Sequence, residues 1–362
     1  MRILVLSPGY PRPGELYGHA VAAQVAALAR QHELRVQPLS PRPGVGDGGG
    51  GAPRLFEAPR GGQARRFATV LARHAAWRPA LIWGLWLDRA GPAACALGRL
   101  LGCPALVSVM GGELARLPEL GYGGRRTAAG RAKVQAVLRA ASALTVGSAP
   151  LAGQVRALAP RARAYVTPIG VAPEGIPVRA APPWRPGSRL EVAAVVDVAP
   201  VKGADRIFGT VATLARGGVD VRLTLFTLAT PAGRAALLAQ ARAAGVDAQV
   251  TLPPVIPSPE LHRRLPEFHV LLSASAHESQ GLALIEAALA QVPVVAPAVG
   301  VAEALAGLGA LTLSPSREPA DLAPRVLQAA SRPVAARGAV AAAFGLEAAT
   351  QAFLRVFEEV AG

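Results

Sequence analysis

His277-Glu278-Ser279-Gln280-Gly281-Leu282-Ala283-Leu284-Ile285-Glu286 carries two carboxylates, Glu278 and Glu286, around a helix start. Leu282 to Ala290 contains good helix formers and no breaker. Leu271-Leu272 before it and Val294-Val295-Ala296 after it read as short buried strands. The segment therefore parses as strand, turn, helix, strand, the unit from which parallel α/β sheets are built. At a rise of ~1.5 Å per residue the two carboxylates stand roughly 12 Å apart or less. Backbone N–H groups of Gln280, Gly281 and Leu282 would lie between them at the positive end of the helix, a place that suits a diphosphate. One acid is then available to a sugar and the other to a ribose.

Working outward, this stretch and the following Ala287 to Gly300 resemble the retaining glycosyltransferases of family 4, the glycosyl transferases of group 1. In that family a glutamate, seven residues and a second glutamate sit in the C-terminal half of a GT-B fold. The resemblance implies an α/β protein with two doubly wound Rossmann-like domains facing a central cleft. It also implies transfer of a hexose from a nucleoside diphosphate sugar to an acceptor, with retention at the anomeric carbon. By the same resemblance Glu278 holds sugar hydroxyls near the reacting centre, Glu286 holds the ribose diol, and Ser279, Gln280, Gly281 and Leu282 line the donor.

Val196-Asp197-Val198-Ala199-Pro200-Val201-Lys202-Gly203 resembles the family's second donor element, a loop ending in Lys-Gly before a helix. A lysine there neutralises charge on a departing diphosphate. Only two lysines, Lys133 and Lys202, occur among the 38 basic residues, so the placement of Lys202 is informative. The family commonly has an arginine five residues earlier, where this chain has Asp197; Arg206, one turn beyond Lys202, is the expected substitute cation. In the first half, Pro104 to Glu113 and Leu117 to Gly124 resemble the loop that approaches the transferred sugar. Met110 stands in place of the family's histidine, followed by Gly111, Gly112 and Glu113. Of the early glycines Gly14 and Gly18, Gly18 is the one expected to admit the donor phosphate to the backbone.

At 362 residues the chain is long enough for two domains. The expected division is an acceptor-side domain over residues 1–172, a Pro-rich linker over 173–189, a donor-binding domain over 190–345 and a terminal helix over 346–362 returning to the first domain. Pro168, Pro173, Pro177, Pro182, Pro183 and Pro186 exclude a continuing helix or central strand across the linker. In the first domain, strands are expected from Arg2 to Ser7, Leu34 to Leu39, Ala80 to Trp83, Pro104 to Val109, Ala143 to Val146 and Ala164 to Thr167. In the second they are expected from Leu190 to Val196, Val221 to Thr227, Gln249 to Leu252 and His269 to Leu272. The Gly/Pro-rich stretch Pro41 to Pro53 lacks a Lys-Ser/Thr ending and reads as a surface connection.

The net charge of +15 is confined to the first half: residues 1–172 carry 22 basic against 7 acidic side chains, and residues 173–362 carry 16 of each. Such a field attracts an anionic acceptor or membrane surface. Basic amphipathic segments at Gly62 to Arg78 and Arg125 to Arg139 suit the same role. Nucleic acid is a weaker partner, because aromatics are 4% of the chain and no recognised motif is present. No 18-residue apolar run appears, so the expectation is a cytoplasmic protein, soluble or peripheral at the inner face of the membrane; the family resemblance implies a part in cell-envelope polysaccharide or glycolipid synthesis. Cys95 and Cys103 lie in apolar surroundings and read as core residues. No Asp-x-Asp occurs, so a metal cofactor is not expected. The competing readings are a nucleotide-sugar epimerase on the same architecture and a catalytically degenerate nucleotide-sugar-binding protein, the latter suggested by Asp197 and Met110.

Overall fold

In the structure, a computed structural model describing residues 1–11, 18–40, 53–180 and 182–362, Arg2–Ser7 forms strand β1, buried at every position after the first. A strand covered on both faces needs a continuous apolar run and not an alternating one, which is what Ile3-Leu4-Val5-Leu6 supplies. The chain continues through α1 (His19–Ala29), β2 (Glu33–Pro38), β3 (Arg54–Leu55), α2 (Gln63–Ala75) and β4 (Leu81–Leu85). A π-helical turn, Trp86–Ala90, leads into α3 (Gly91–Leu101), β5 (Ala105–Val109), α4 (Ala128–Ala140), β6 (Ala143–Val146), α5 (Ala149–Leu158) and β7 (Ala164–Val166). All seven strands are parallel in the order β3-β2-β1-β4-β5-β6-β7.

The second half runs β8 (Leu190–Val195), α6 (Ala204–Arg216), β9 (Val221–Phe226), α7 (Pro231–Ala243), β10 (Val250–Thr251), α8 (Ser258–Arg264) and β11 (Val270–Leu272). It continues with α9 (Leu282–Leu289), β12 (Val294–Pro297), α10 (Ala302–Gly307), β13 (Leu311–Ser314), α11 (Pro319–Ala330), α12 (Arg337–Phe344) and α13 (Leu346–Ala361). Its sheet is also parallel, in the order β10-β9-β8-β11-β12-β13.

Two compact units result, Met1–Gly170 with Leu346–Gly362, and Val171–Gly345. In the first, α13 packs Phe353 and Phe357 on the buried Trp83 of β4, with ring centroids 5.0 and 5.4 Å away. Gln24 of α1 secures the helix by donating to Thr350 Oγ1 at 2.9 Å and accepting from the Gly170 amide at 3.0 Å. In the second unit the proline-rich stretch lies against the core. Trp184 is buried, its amide donates to Ala330 O at 2.8 Å, and Arg179 Nε donates to Phe268 O at 2.8 Å. Prolines there remove donors that no sheet demands, while Trp184 and Ile176 supply apolar area to bury.

Apart from Pro53, the stretch Pro41 to Pro53 lies outside the described residues, as does Gly14. Among the described residues no helix is long and apolar enough to cross a membrane.

Candidate active site

In each sheet the strand order reverses once, between β1 and β4 and between β8 and β11. Loops leaving the carboxyl ends of the strands diverge at such a point and open a crevice. Both sequence elements singled out in the second half leave the sheet there. The loop after β8 ends in a 3-10 turn, Pro200–Lys202, and Gly203 begins α6 at φ +68°. A β-carbon on Gly203 would stand 2.3 Å from the carbonyl oxygen of Ala274, in the loop after β11. Ala276 N donates to Val201 O at 2.7 Å, which fastens the two loops together. Across this seam Lys202 Nζ donates to Glu278 Oε1 at 2.7 Å, and Ser275 Oγ donates to the same oxygen at 2.8 Å. The two side chains keep 32% and 17% of their surface, so a ligand can reach both.

A third loop closes on the same place. Gly300, after β12, has φ +55°, and a β-carbon there would lie 2.2 Å from Gln280 O and 3.0 Å from the Glu278 β-carbon. Val301 N donates to Gln280 O at 2.8 Å. Gly281 then starts α9 at φ +96°, with no side chain capping the helix and no acid in its first turn. The first amides of α9 therefore present positive charge beside Lys202 and Glu278 without an internal counter-charge. At the other end of α9, Arg337 donates to Leu289 O and, at 3.0 Å, to Ile176 O, which places a cation on the negative end of the helix.

These elements match the family model described as glycosyl transferases group 1 over residues 190–332. The matched stretch lies wholly within the second unit, Val171–Gly345. No curated protein matches the chain in sequence. Among solved structures the chain is similar to sucrose-phosphate synthase from Thermosynechococcus elongatus, with TM-score 0.83, 17% identity and 99% of each chain covered. It is similar to HepE from Anabaena in complex with UDP-glucose, with TM-score 0.75, 17% identity and coverage of 99% of this chain and 100% of that one. It is also similar to the lipopolysaccharide outer core galactosyltransferase WaaB, with TM-score 0.69, 12% identity and coverage of 99% and 100%. The fold is GT-B, as the resemblance implied.

Within the matched stretch, Glu286 lies on α9, is 6% exposed, and has His262 Nε2 of α8 at 3.2 Å from its Oε1. Ser279, Gln280, Gly281 and Leu282 form the entry to the helix, with Gln280 buried. Asp197 is exposed and its carboxylate accepts from the amide of Val198, within its own turn. Arg206 does not reach the seam as an unshared cation: its Nη1 is 3.1 Å from Glu318 Oε2 and its Nε 3.6 Å from Asp205 Oδ2. Sequence reading missed Arg317 instead. Placed just past β13, it donates from Nε to Ala274 O at 2.8 Å and so braces the loop that carries Ser275 and Glu278.

In the first unit the β1/β4 reversal opens a cavity of about 570 Å³, reached by Pro8, Gly9, Trp86, Asp88, Arg89, Arg126 and the Gly111-Gly112-Glu113 loop. Glu113 is buried and accepts from the amides of Gly111 at 2.6 Å, Met110 at 3.1 Å and Leu87 at 3.2 Å, joining the loops after β4 and β5. Burial raises its pKa, while the amides it accepts from oppose that shift. A β-carbon on Gly112 would sit 2.5 Å from the ring of Tyr122, so only glycine lets that ring close over the loop. Trp86 holds φ +66°, a conformation that costs a bulky residue on the order of 1–3 kcal/mol and fixes its ring at the cavity wall. Met110 is half-buried beside the cavity and not among its lining residues. Gly18 starts α1 at φ +73°, with Pro11 Cγ 3.2 Å from where its β-carbon would be.

Proposed function

We propose that the protein is a retaining, metal-independent hexosyltransferase that moves a sugar from a nucleoside diphosphate donor to a lipid-linked or otherwise anionic acceptor. The observation that carries this reading is the 2.7 Å contact between Lys202 and Glu278 at the uncapped start of α9, at the strand reversal within the stretch matching the group 1 model. The donor's diphosphate lies against the α9 amides. Lys202 shares its ammonium between Glu278 and a phosphate oxygen, and Glu278, relieved of part of that contact, accepts from sugar hydroxyls. As the bond from the anomeric carbon to the diphosphate breaks, the growing negative charge meets Lys202 and the helix terminus, both already oriented by the folded chain. The acceptor hydroxyl forms its bond to the same carbon on the face the diphosphate leaves and gives its proton to the departing diphosphate oxygen. Glu286, held beside His262, accepts from the ribose diol. No side chain is assigned as a nucleophile.

Two likenesses support the donor and acceptor classes. HepE is seen in complex with UDP-glucose, and WaaB is a galactosyltransferase of the lipopolysaccharide outer core. The charge of the first half, 22 basic against 7 acidic residues, suits an anionic acceptor.

The test is a mass-resolved product analysis after incubation with pooled nucleotide sugars and a membrane extract, with and without a chelator. A hexose added to an extract component, with the donor's anomeric configuration and unaffected by the chelator, is expected. Donor binding with no diphosphate released under any acceptor would replace this reading with that of a nucleotide-sugar-binding protein. Free diphosphate and an epimerised sugar would replace it with that of an epimerase.

A further inference from the structure

A second cavity of the first unit, about 680 Å³, lies between α2, α3 and α4 and beyond the end of β2. Its lining divides by chemistry. Leu39, Phe67 and Leu97 give it an apolar floor, whereas Arg66 of α2, Arg89 of the π-helical turn and Lys133 of α4 enter from three separate elements. No acidic side chain is among its described lining residues. One of the two lysines of the chain is thus committed to this place. Arg66 Nε is buried and has no hydrogen-bond partner within the protein. Arg89 lines this cavity and also the polar cavity beside Trp86 and Asp88, so the two spaces meet at one residue.

The geometry points to a binding site for a lipid phosphate, with the apolar chain on Leu39, Phe67 and Leu97, the phosphate among Arg66, Arg89 and Lys133, and the head group in the adjoining cavity. This deepens the proposed function by giving its acceptor a chemical class and a place. A phosphate takes several charge-assisted hydrogen bonds at once, and two guanidinium groups and an ammonium from three elements can supply them. A free phosphate would leave the apolar floor exposed to water, and a neutral amphiphile would leave the three cations unpaired. Only a molecule with both parts satisfies the lining.

The experiment is calorimetry on the full chain with three probes below their micellar concentrations: decyl phosphate, inorganic phosphate and decyl maltoside. Decyl phosphate is expected to bind at least tenfold tighter than either of the others. Arg66→Ala combined with Lys133→Ala should weaken it at least tenfold. Ala96→Trp, at an exposed position on the cavity wall, should exclude the chain while leaving inorganic phosphate unaffected, with thermal melts confirming the fold of each variant. Equal affinity for inorganic phosphate, equal affinity for the maltoside, or variants that bind decyl phosphate as before would each overturn the site. Transfer of sugar from pooled nucleotide sugars to components of a membrane extract is measured in parallel. Its absence with decyl phosphate still bound would count against the transferase reading alone, and its presence with no decyl phosphate binding would count against the lipid site alone.

Discussion

Gly203 faces the carbonyl oxygen of Ala274 so closely that a β-carbon would stand 2.3 Å from it. The contact seats the Lys202 turn on the loop that carries Glu278, and φ +68° at Gly203 is itself a glycine conformation. Gly203→Ala is therefore expected to lose roughly 2–5 kcal/mol of stability from left-handed strain and overpacking combined. Donor turnover should fall further than stability explains, because the Lys202–Glu278 contact opens. Denaturant titration paired with turnover of the folded fraction checks both.

Arg317 acts through the loop it braces. Removing its guanidinium leaves Ala274 O without that donor, and a hydrogen bond from a charged group is worth about 1.5–3 kcal/mol. Arg317→Ala should lower kcat/KM by about tenfold to a hundredfold, measured on the folded protein, beside a fall of several degrees in melting temperature. Turnover equal to that of the unaltered protein would show that the loop holds its place unaided.

A pH dependence of stability resides in the first unit, on α2. His74 is fully buried; its Nε2 lies 3.3 Å from Gln37 Oε1, and its Nδ1 has no partner. Burial lowers its pKa from 6.5 to about 4, with Arg35, Arg73 and Arg54 adding to the shift. The unfolded chain therefore takes up a proton before the folded one does. The contribution is fully present above pH 6.5 and is lost as pH falls toward 4, by on the order of 3 kcal/mol. Urea titrations at pH 7.5 and 4.5 should show that loss in the native protein and a smaller one in His74→Phe.

The terminal helix α13 is tied to the first unit by aromatic packing. Phe357, fully buried against Trp83, is worth about 3–5 kcal/mol against alanine. Phe357→Ala should shift the denaturant midpoint accordingly, and thermal scans on that variant should melt earlier.

Much of this architecture was legible from residue order. Continuous apolar runs such as Ile3 to Leu6 marked strands buried on both faces, and Arg2–Ser7 and Ala143–Val146 fall where those runs predict. The pairing of a Lys-Gly turn with a glutamate before a helix was read from two loops 76 residues apart, and the fold brings them to 2.7 Å. What escaped was short or half-exposed. Strand β13, Leu311–Ser314, has four residues with only its ends buried, too short a pattern to stand out, and with it Arg317 went unnoticed. Spacing alone offered Arg206 as a second cation, but a side chain one turn into α6 meets Glu318, which only tertiary contact reveals. The cations of the α2–α3–α4 cavity come from three elements, so no linear stretch displays them together.

The central claim, that Lys202 and the start of α9 hold the donor's diphosphate, is tested most directly by calorimetry of UDP, GDP and ADP with the native protein and Lys202→Ala. The nucleoside diphosphate that binds the native protein should bind Lys202→Ala at least tenfold more weakly, with the fold unchanged. Undiminished affinity in Lys202→Ala would contradict the account.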